Sequence, residues 1–190
     1  MPEKNRFIYD DEDLKGVFIK PADGIEKHPY EPFVPSTASV LILGSFPGID
    51  QTRRANKADE WYYSAKRNQL WKILEAVYSV ELKTVADRRS LFNDVGIAIT
   101  DVILKAKRIN ESNLDNNLEI VEYNKDAIQL IINLDRIKKV YFTSQFVQKH
   151  FVKLFPKYSN GECLPSPSPR YARMSLGEKI EAYKQKLPKK

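Results

Sequence analysis

Three short apolar runs, alternating with segments of helical periodicity, constrain this chain more than any other feature. They are Val40-Leu41-Ile42-Leu43-Gly44, Gly96-Ile97-Ala98-Ile99-Thr100-Asp101-Val102 and Lys139-Val140-Tyr141-Phe142-Thr143. Runs this short and this continuously apolar predict strands buried on both faces, as in a parallel sheet. Between them, Leu70, Ile73, Leu74 and Val77 recur at helical spacing within residues 68–80, and residues 84–94 predict another short helix. Ala127, Ile128, Leu130, Ile131 and Leu134 mark a third helix, while Phe146, Val147, His150, Phe151 and Leu154 share one face of residues 144–155. A last short strand near residues 162–164 leads into a proline-spaced loop and a C-terminal helix over residues 175–186. This alternation predicts an α/β fold, a three-layer α/β/α sandwich around a short, mainly parallel four-stranded sheet. Residues 105–118 are polar and rich in asparagine, and read as a long functional loop or a solvated connection. Residues 1–39 form a lead-in packed on the domain edge, so residues 1–190 are expected to make a single domain.

A chain of 190 residues can bury a sizeable core without covalent staples. The single cysteine, Cys163, excludes an intramolecular disulfide and fits a reducing compartment. With only His28 and His150 beside it, no Cys/His zinc site is expected. The opening MPEKNRFIYDDEDLKG has no apolar centre of a signal peptide, and no run approaches the roughly 18 apolar residues of a membrane span. The expectation is a cytoplasmic protein with no membrane partner. A formal charge of +6 favours a polyanionic partner, although charge alone does not establish one. His150 reads as a core or edge histidine, His28 as a structural residue of the lead-in, and Cys163 as a small strand residue.

Ligands of such sheets sit outside the carboxyl ends of the strands, so the loops beginning at Gly44, Asp101, Thr143 and Leu164 should converge. The first loop is Gly44-Ser45-Phe46-Pro47-Gly48. Its backbone N–H groups can grip a carbonyl or phosphate oxygen, and Phe46 can stack on a planar ring. It reads equally as an ordinary tight turn with Phe46 in the core. A cationic loop over residues 49–60 and the segment Trp61-Tyr62-Tyr63-Ser64-Ala65-Lys66-Arg67-Asn68 precede the first amphipathic helix. Asn68 stands where a helix cap falls, or where a side-chain amide could orient a water or a base edge. In Leu164-Pro165-Ser166-Pro167-Ser168-Pro169-Arg170-Tyr171 alternate prolines hold two serine hydroxyls at a fixed spacing suited to adjacent phosphates. The alternative is a stiff linker.

Together these motifs resemble the uracil-DNA glycosylase superfamily, which carries a Gly-x-x-Pro-Gly-like loop after its first strand and a Pro-Ser loop after its last. Within it the chain is most similar to the hypoxanthine (deoxyinosine) and mismatch-specific glycosylase branch. The matching residues are Gly44 to Gly48, Tyr62-Tyr63, Asn68, Trp71-Lys72-Ile73-Leu74, Asp101, Ser112, Asp115 and the Leu164 to Pro169 loop, with His28-Pro29-Tyr30 in the lead-in. Ala65-Lys66 stands where relatives commonly carry His-Pro, and Arg170-Tyr171 where many have Ala-Asn.

The resemblance implies an enzyme that extrudes a nucleotide from DNA and hydrolyses the N-glycosidic bond of a deaminated base (hypoxanthine, xanthine or uracil). Gly44, Ser45, Phe46, Pro47, Gly48 and Tyr63 would form the base pocket, with the Ser45 and Phe46 amides on the base carbonyl. Asn68 would position the water, with Asp101 or Asp115 as general base. Ser166 and Ser168 would hold phosphates, Arg170 or Tyr171 would fill the vacated stack, and Lys66 and Arg67, with Lys105, Lys107 and Arg108, would attract the backbone. Each of these cations reads equally as part of a solvated face. No metal and no cofactor is implied, and a monomer is expected. Two other readings stand beside this one: a non-catalytic DNA-binding relative, and a small-nucleotide or nucleoside enzyme.

Overall fold

The computed structural model describes residues 20–53 and 60–190. Residues 1–19 of the lead-in and 54–59 of the cationic loop lie outside the described residues. The elements run β1 (Ile25–Lys27), β2 (Val40–Gly44), α1 (Ile49–Arg53), α2 (Leu70–Tyr78), α3 (Val85–Val95), β3 (Ile97–Asp101) and β4 (Ile103–Arg108). They continue as β5 (Leu118–Tyr123), α4 (Lys125–Ile132), β6 (Lys139–Phe142), α5 (Gln145–Leu154), β7 (Gly161–Cys163) and α6 (Leu176–Lys186).

Strands β2, β3, β6 and β7 form a parallel sheet in the order β3-β2-β6-β7, with every residue of β2 and β3 buried. Successive side chains leave opposite faces of a strand, so β2 feeds two cores. Val40 and Ile42 join Ile97, Ile99 and Tyr141 in the core covered by α2, α3 and Tyr183 of α6. Leu41 and Leu43 join Ala98, Val140 and Phe142 against Ile128 and Ile131 of α4 and Val147 and Phe151 of α5. Helices therefore cover both faces, the expected three layers.

Local chemistry sets the helix ends. Helix α3 opens with a capping box between Thr84 and Asp87, α6 with one between Ser175 and Glu178, and α5 with a Ser144 cap. Gly96 ends α3 at φ 71°, and a Cβ there would lie 2.6 Å from the Thr37 carbonyl oxygen. Backbone conformation and space both demand glycine at this turn.

One expectation is narrowed. Residues 105–118 are a loop only over 109–117, part of which lines the cavity described below: residues 105–108 belong to β4, β4 and β5 pair antiparallel, β1 of the lead-in pairs with β4, and the three make a second sheet ordered β1-β4-β5. Only one side of this sheet faces the core, through Ile103 and Ala106 of β4, so its sequence lacks the continuous apolar run of a central strand. Cross-strand charge pairing replaces it, with Lys107 opposite Glu119 and Lys105 opposite Glu122. Two single-turn 3-10 segments, Ile109–Glu111 and Asp115–Asn117, connect the strands.

Candidate active site

The residues that follow β2, β3, β6 and β7 open onto one cavity of about 720 Å³. Ser45, Phe46, Pro47 and Gly48 line it together with Tyr63, Arg67 and Asn68. Asp101 and Asp115 line it as well, as do Ser166, Ser168, Arg170 and Tyr171. Gly44 lies behind this wall: a Cβ there would come 2.1 Å from Asp101 Oδ1 and 2.3 Å from the Tyr63 hydroxyl. Glycine is thus what lets a carboxylate and a phenol close over the end of β2. Lys66 is exposed and outside the lining.

The first loop is braced from below. Glu26 is fully buried and accepts from Arg53 Nε at 2.7 Å, Arg108 Nε at 2.8 Å and the Thr52 hydroxyl at 2.5 Å. Burial pushes the Glu26 carboxyl up, but hydrogen bonds from Thr52 and Arg108 and the guanidinium charges outweigh it and hold the group below its ordinary range. Arg108 also donates to the Pro47 carbonyl and lies 5.5 Å from the Phe46 ring centroid. Arg108, expected on a DNA-facing surface, is therefore a buried brace of the loop, and Lys105 is engaged with Glu122. The Asn113 side chain accepts from the Ile49 N–H at 2.8 Å, closing the far end of the turn. Among the described residues the N–H groups of Ser45, Phe46 and Gly48 donate to no protein acceptor. They are the donors this loop has left to offer.

Asp101 is 4% exposed, and its two oxygens differ. Oδ2 lies 3.0 Å from His28 Nε2, whereas Oδ1 has no partner among the described residues. His28 Nδ1 in turn lies 2.8 Å from the Tyr30 carbonyl, which orients the ring. His28, expected as a structural residue of the lead-in, stands behind a cavity carboxylate, a placement that only the tertiary fold reveals. Asp115 Oδ1 accepts from the Ser45 hydroxyl at 2.8 Å. Burial pushes the Asp115 carboxyl up, opposed by the Ser45 hydrogen bond, reinforced by the nearby Asp101 charge and offset by Arg108. Tyr63 has φ 57°, a strained backbone for a tyrosine, and its hydroxyl donates to Thr143 Oγ1 at 2.9 Å. Burial first, then Asp101, pushes its phenol well above the ordinary value.

Asn68 stands one residue before Gln69, the cap position of α2. Its Oδ1 accepts from the Leu70 N–H at 2.9 Å, capping the start of α2, and the residue also lines the cavity. With the oxygen committed, Nδ2 is the group free to act as a donor.

The proline-spaced loop turns its carbonyls inward. Tyr183 takes the Pro165 carbonyl at 2.9 Å, the Gln69 N–H takes that of Pro167 at 2.9 Å, and Lys179 takes that of Ser168 at 3.1 Å. The serine oxygens accept from the backbone two residues on, Ser166 from Ser168 N–H and Ser168 from Arg170 N–H. Each hydroxyl hydrogen is then left to donate outward, the polarity an anion needs. His150 sits apart, on the Tyr123 hydroxyl at 2.8 Å.

No helix among the described residues is long and apolar enough to cross a membrane. No curated protein matches the sequence. The fold is similar to a solution NMR structure of a candidate uracil DNA glycosylase from Methanosarcina acetivorans, with TM-score 0.63 at 18% identity, covering 83% of this chain and 94% of that one. The family model of the Uracil DNA glycosylase superfamily matches residues 31–189, a span holding every residue named above as lining the cavity, and the chain belongs to that superfamily.

Proposed function

We propose that this protein is a DNA glycosylase acting as a single domain on a deaminated base, and that the cavity receives the extruded nucleotide. The observation that carries this reading is the union in one cavity of three kinds of group: unused loop amides at Ser45, Phe46 and Gly48, the unpartnered Oδ1 of Asp101, and the outward hydroxyls of Ser166 and Ser168. Each suits a different part of one substrate. The amides suit a base carbonyl, which gains negative charge as the glycosidic bond breaks; such a donor contributes about 3–4 kcal/mol to catalysis where it has been removed. Phe46 offers the base a ring to stack on. The serines suit the flanking phosphates, and Arg170 or Tyr171 stands at the rim to enter the emptied stack.

In the reaction, the C1′–N bond breaks and its electron pair leaves with the base. A water oxygen bonds to C1′, and the proton it sheds passes to Asp101 and then to the departing base. The Asp101 carboxylate is the acceptor for that proton, and His28 holds it in place through Oδ2. When Asp101 is ionised, the contact requires His28 Nε2 to carry the proton. Asn68 contributes its Nδ2 donor, with its oxygen retained on the helix. Hydrolysis of this kind requires no metal or organic cofactor.

The test is direct. Purified protein is incubated with oligonucleotides bearing one deoxyinosine, deoxyxanthosine or deoxyuridine, and alkali-labile abasic sites are scored. Base release from at least one substrate is expected; failure on all three by folded protein overturns the reading.

A further inference from the structure

Lys179 carries a charge that no carboxylate among the described residues answers. It is 1% exposed, yet among the described residues no carboxylate lies within ion-pair distance of its ammonium. Its partners are neutral: Gln69 Oε1 at 2.8 Å, the Ser168 carbonyl at 3.1 Å and the Tyr171 ring centroid at 5.5 Å. A buried ammonium facing only neutral acceptors costs stability, and burial pushes this one below its ordinary value. The three partners are not arbitrary. Gln69 adjoins Asn68, while Ser168 and Tyr171 line the cavity.

We propose that Lys179 is a phosphate-positioning residue, its charge completed only when a DNA phosphodiester lands on the Ser166–Ser168 loop in front of it. This rests on the glycosylase reading of the cavity. The ammonium acts from behind the Ser168 carbonyl: Pro169 carries no N–H and the Arg170 and Tyr171 N–H groups are held on Ser168, so the Ser168 hydroxyl is the donor that presents this positive field to an anion. It also fixes Tyr171 against the loop, where that ring borders the place of the missing nucleotide. Buried in low dielectric, a charge acts over several ångströms with far less screening than an exposed lysine.

The experiment compares wild-type protein with Lys179→Met and Lys179→Gln, using a duplex with one tetrahydrofuran abasic analogue. Binding by both variants is expected to be about tenfold weaker at low salt. The slope of log affinity against log salt should flatten by up to about 1. On the substrate oligonucleotide KM should rise with kcat nearly unchanged, and the melting temperature should hold or rise. Wild-type affinity and salt slope in either folded variant overturns the proposal. Should neither variant fold, selective NMR of the wild-type ammonium decides: its pKa should rise when the abasic duplex is added, and an unmoved value overturns the proposal. Wild-type protein that binds no DNA and releases no base refutes the glycosylase reading itself. A wild type that binds DNA beside variants that bind equally well refutes only the role of Lys179.

Discussion

Two fully buried charges flank the cavity, and they are built in opposite ways. Glu26, beneath the first loop, meets two guanidiniums and a hydroxyl. Lys179, beneath the proline-spaced loop, meets an amide, a peptide carbonyl and a ring. The first is complete in the isolated chain and reads as scaffold: it binds β1, α1 and β4 together and presents the Pro47 carbonyl to Arg108. The second is incomplete, and incompleteness in a buried charge is a statement about something still to arrive. Asp101 lies between these extremes, with one oxygen answered by His28 and the other buried without a hydrogen-bond partner among the described residues.

The contrast breaks most visibly at Glu26. Glu26→Gln leaves the buried Arg108 guanidinium without its counter-charge and Arg53 with Glu111 alone, and removing one partner of a buried pair costs about 3–5 kcal/mol. Melting should fall by roughly 10 °C, read by calorimetry at neutral pH. The sign with pH is fixed by the lowered carboxyl: the wild-type advantage is full above the ordinary value of 4.5 and vanishes as pH falls through the lowered one. A Glu26→Gln protein as stable as wild type would erase the distinction drawn between the two charges.

Asp101→Asn tests the intermediate case. The amide keeps the size and one oxygen but cannot accept a proton, so single-turnover base release should fall by about 10²–10³-fold while abasic-duplex binding stays near wild type. Comparable losses in both would place Asp101 with the scaffold instead.

How much of this was legible beforehand depends on the kind of signal each residue gives. The strands β2, β3 and β6 announce themselves because burial on both faces forces an unbroken apolar run. Gly44, Asp101 and Ser166 could be assigned to one mouth because parallel strands deliver their loops to the same edge. The second sheet was invisible because it is covered on one side only: Lys105-Ala106-Lys107-Arg108 reads as polar surface when it is a strand with a buried alanine and a buried arginine. His28 and Lys179 were missed for a related reason. A buried polar side chain has no local signature, since what makes it special is a partner 73 residues away in one case and the absence of any acidic partner among the described residues in the other.

Asn68→Ala refines the site at smaller amplitude. Losing the bond to the Leu70 N–H should cost about 1 kcal/mol, a melting shift of a few degrees, whatever the side chain does in the cavity. The informative variant is Asn68→Asp, which retains the accepting oxygen and removes the Nδ2 donor. Stability near wild type with base release several-fold slower would assign the catalytic contribution to the donor; unchanged release would leave Asn68 a cap.

Asp115 gives the smallest effect and the cleanest sign. Its carboxyl is pushed up, by burial and then by the Asp101 charge against the opposing Ser45 bond, so the native state holds a proton more tightly than the unfolded chain does. Stability therefore declines as pH rises from the ordinary value of 3.8 through the raised one, and at neutral pH the ionised group is a net burden. Asp115→Asn can still accept from the Ser45 hydroxyl and carries no charge toward Asp101. It should melt about 1–2 °C higher than wild type at pH 7, with the gain fading to nothing as pH approaches 3.8. A gain independent of pH would mean that packing, not charge, separates the two side chains. A loss at pH 7 would mean that the carboxylate is answered in the folded chain as fully as Glu26 is, moving Asp115 from the cavity's chemistry to its scaffold.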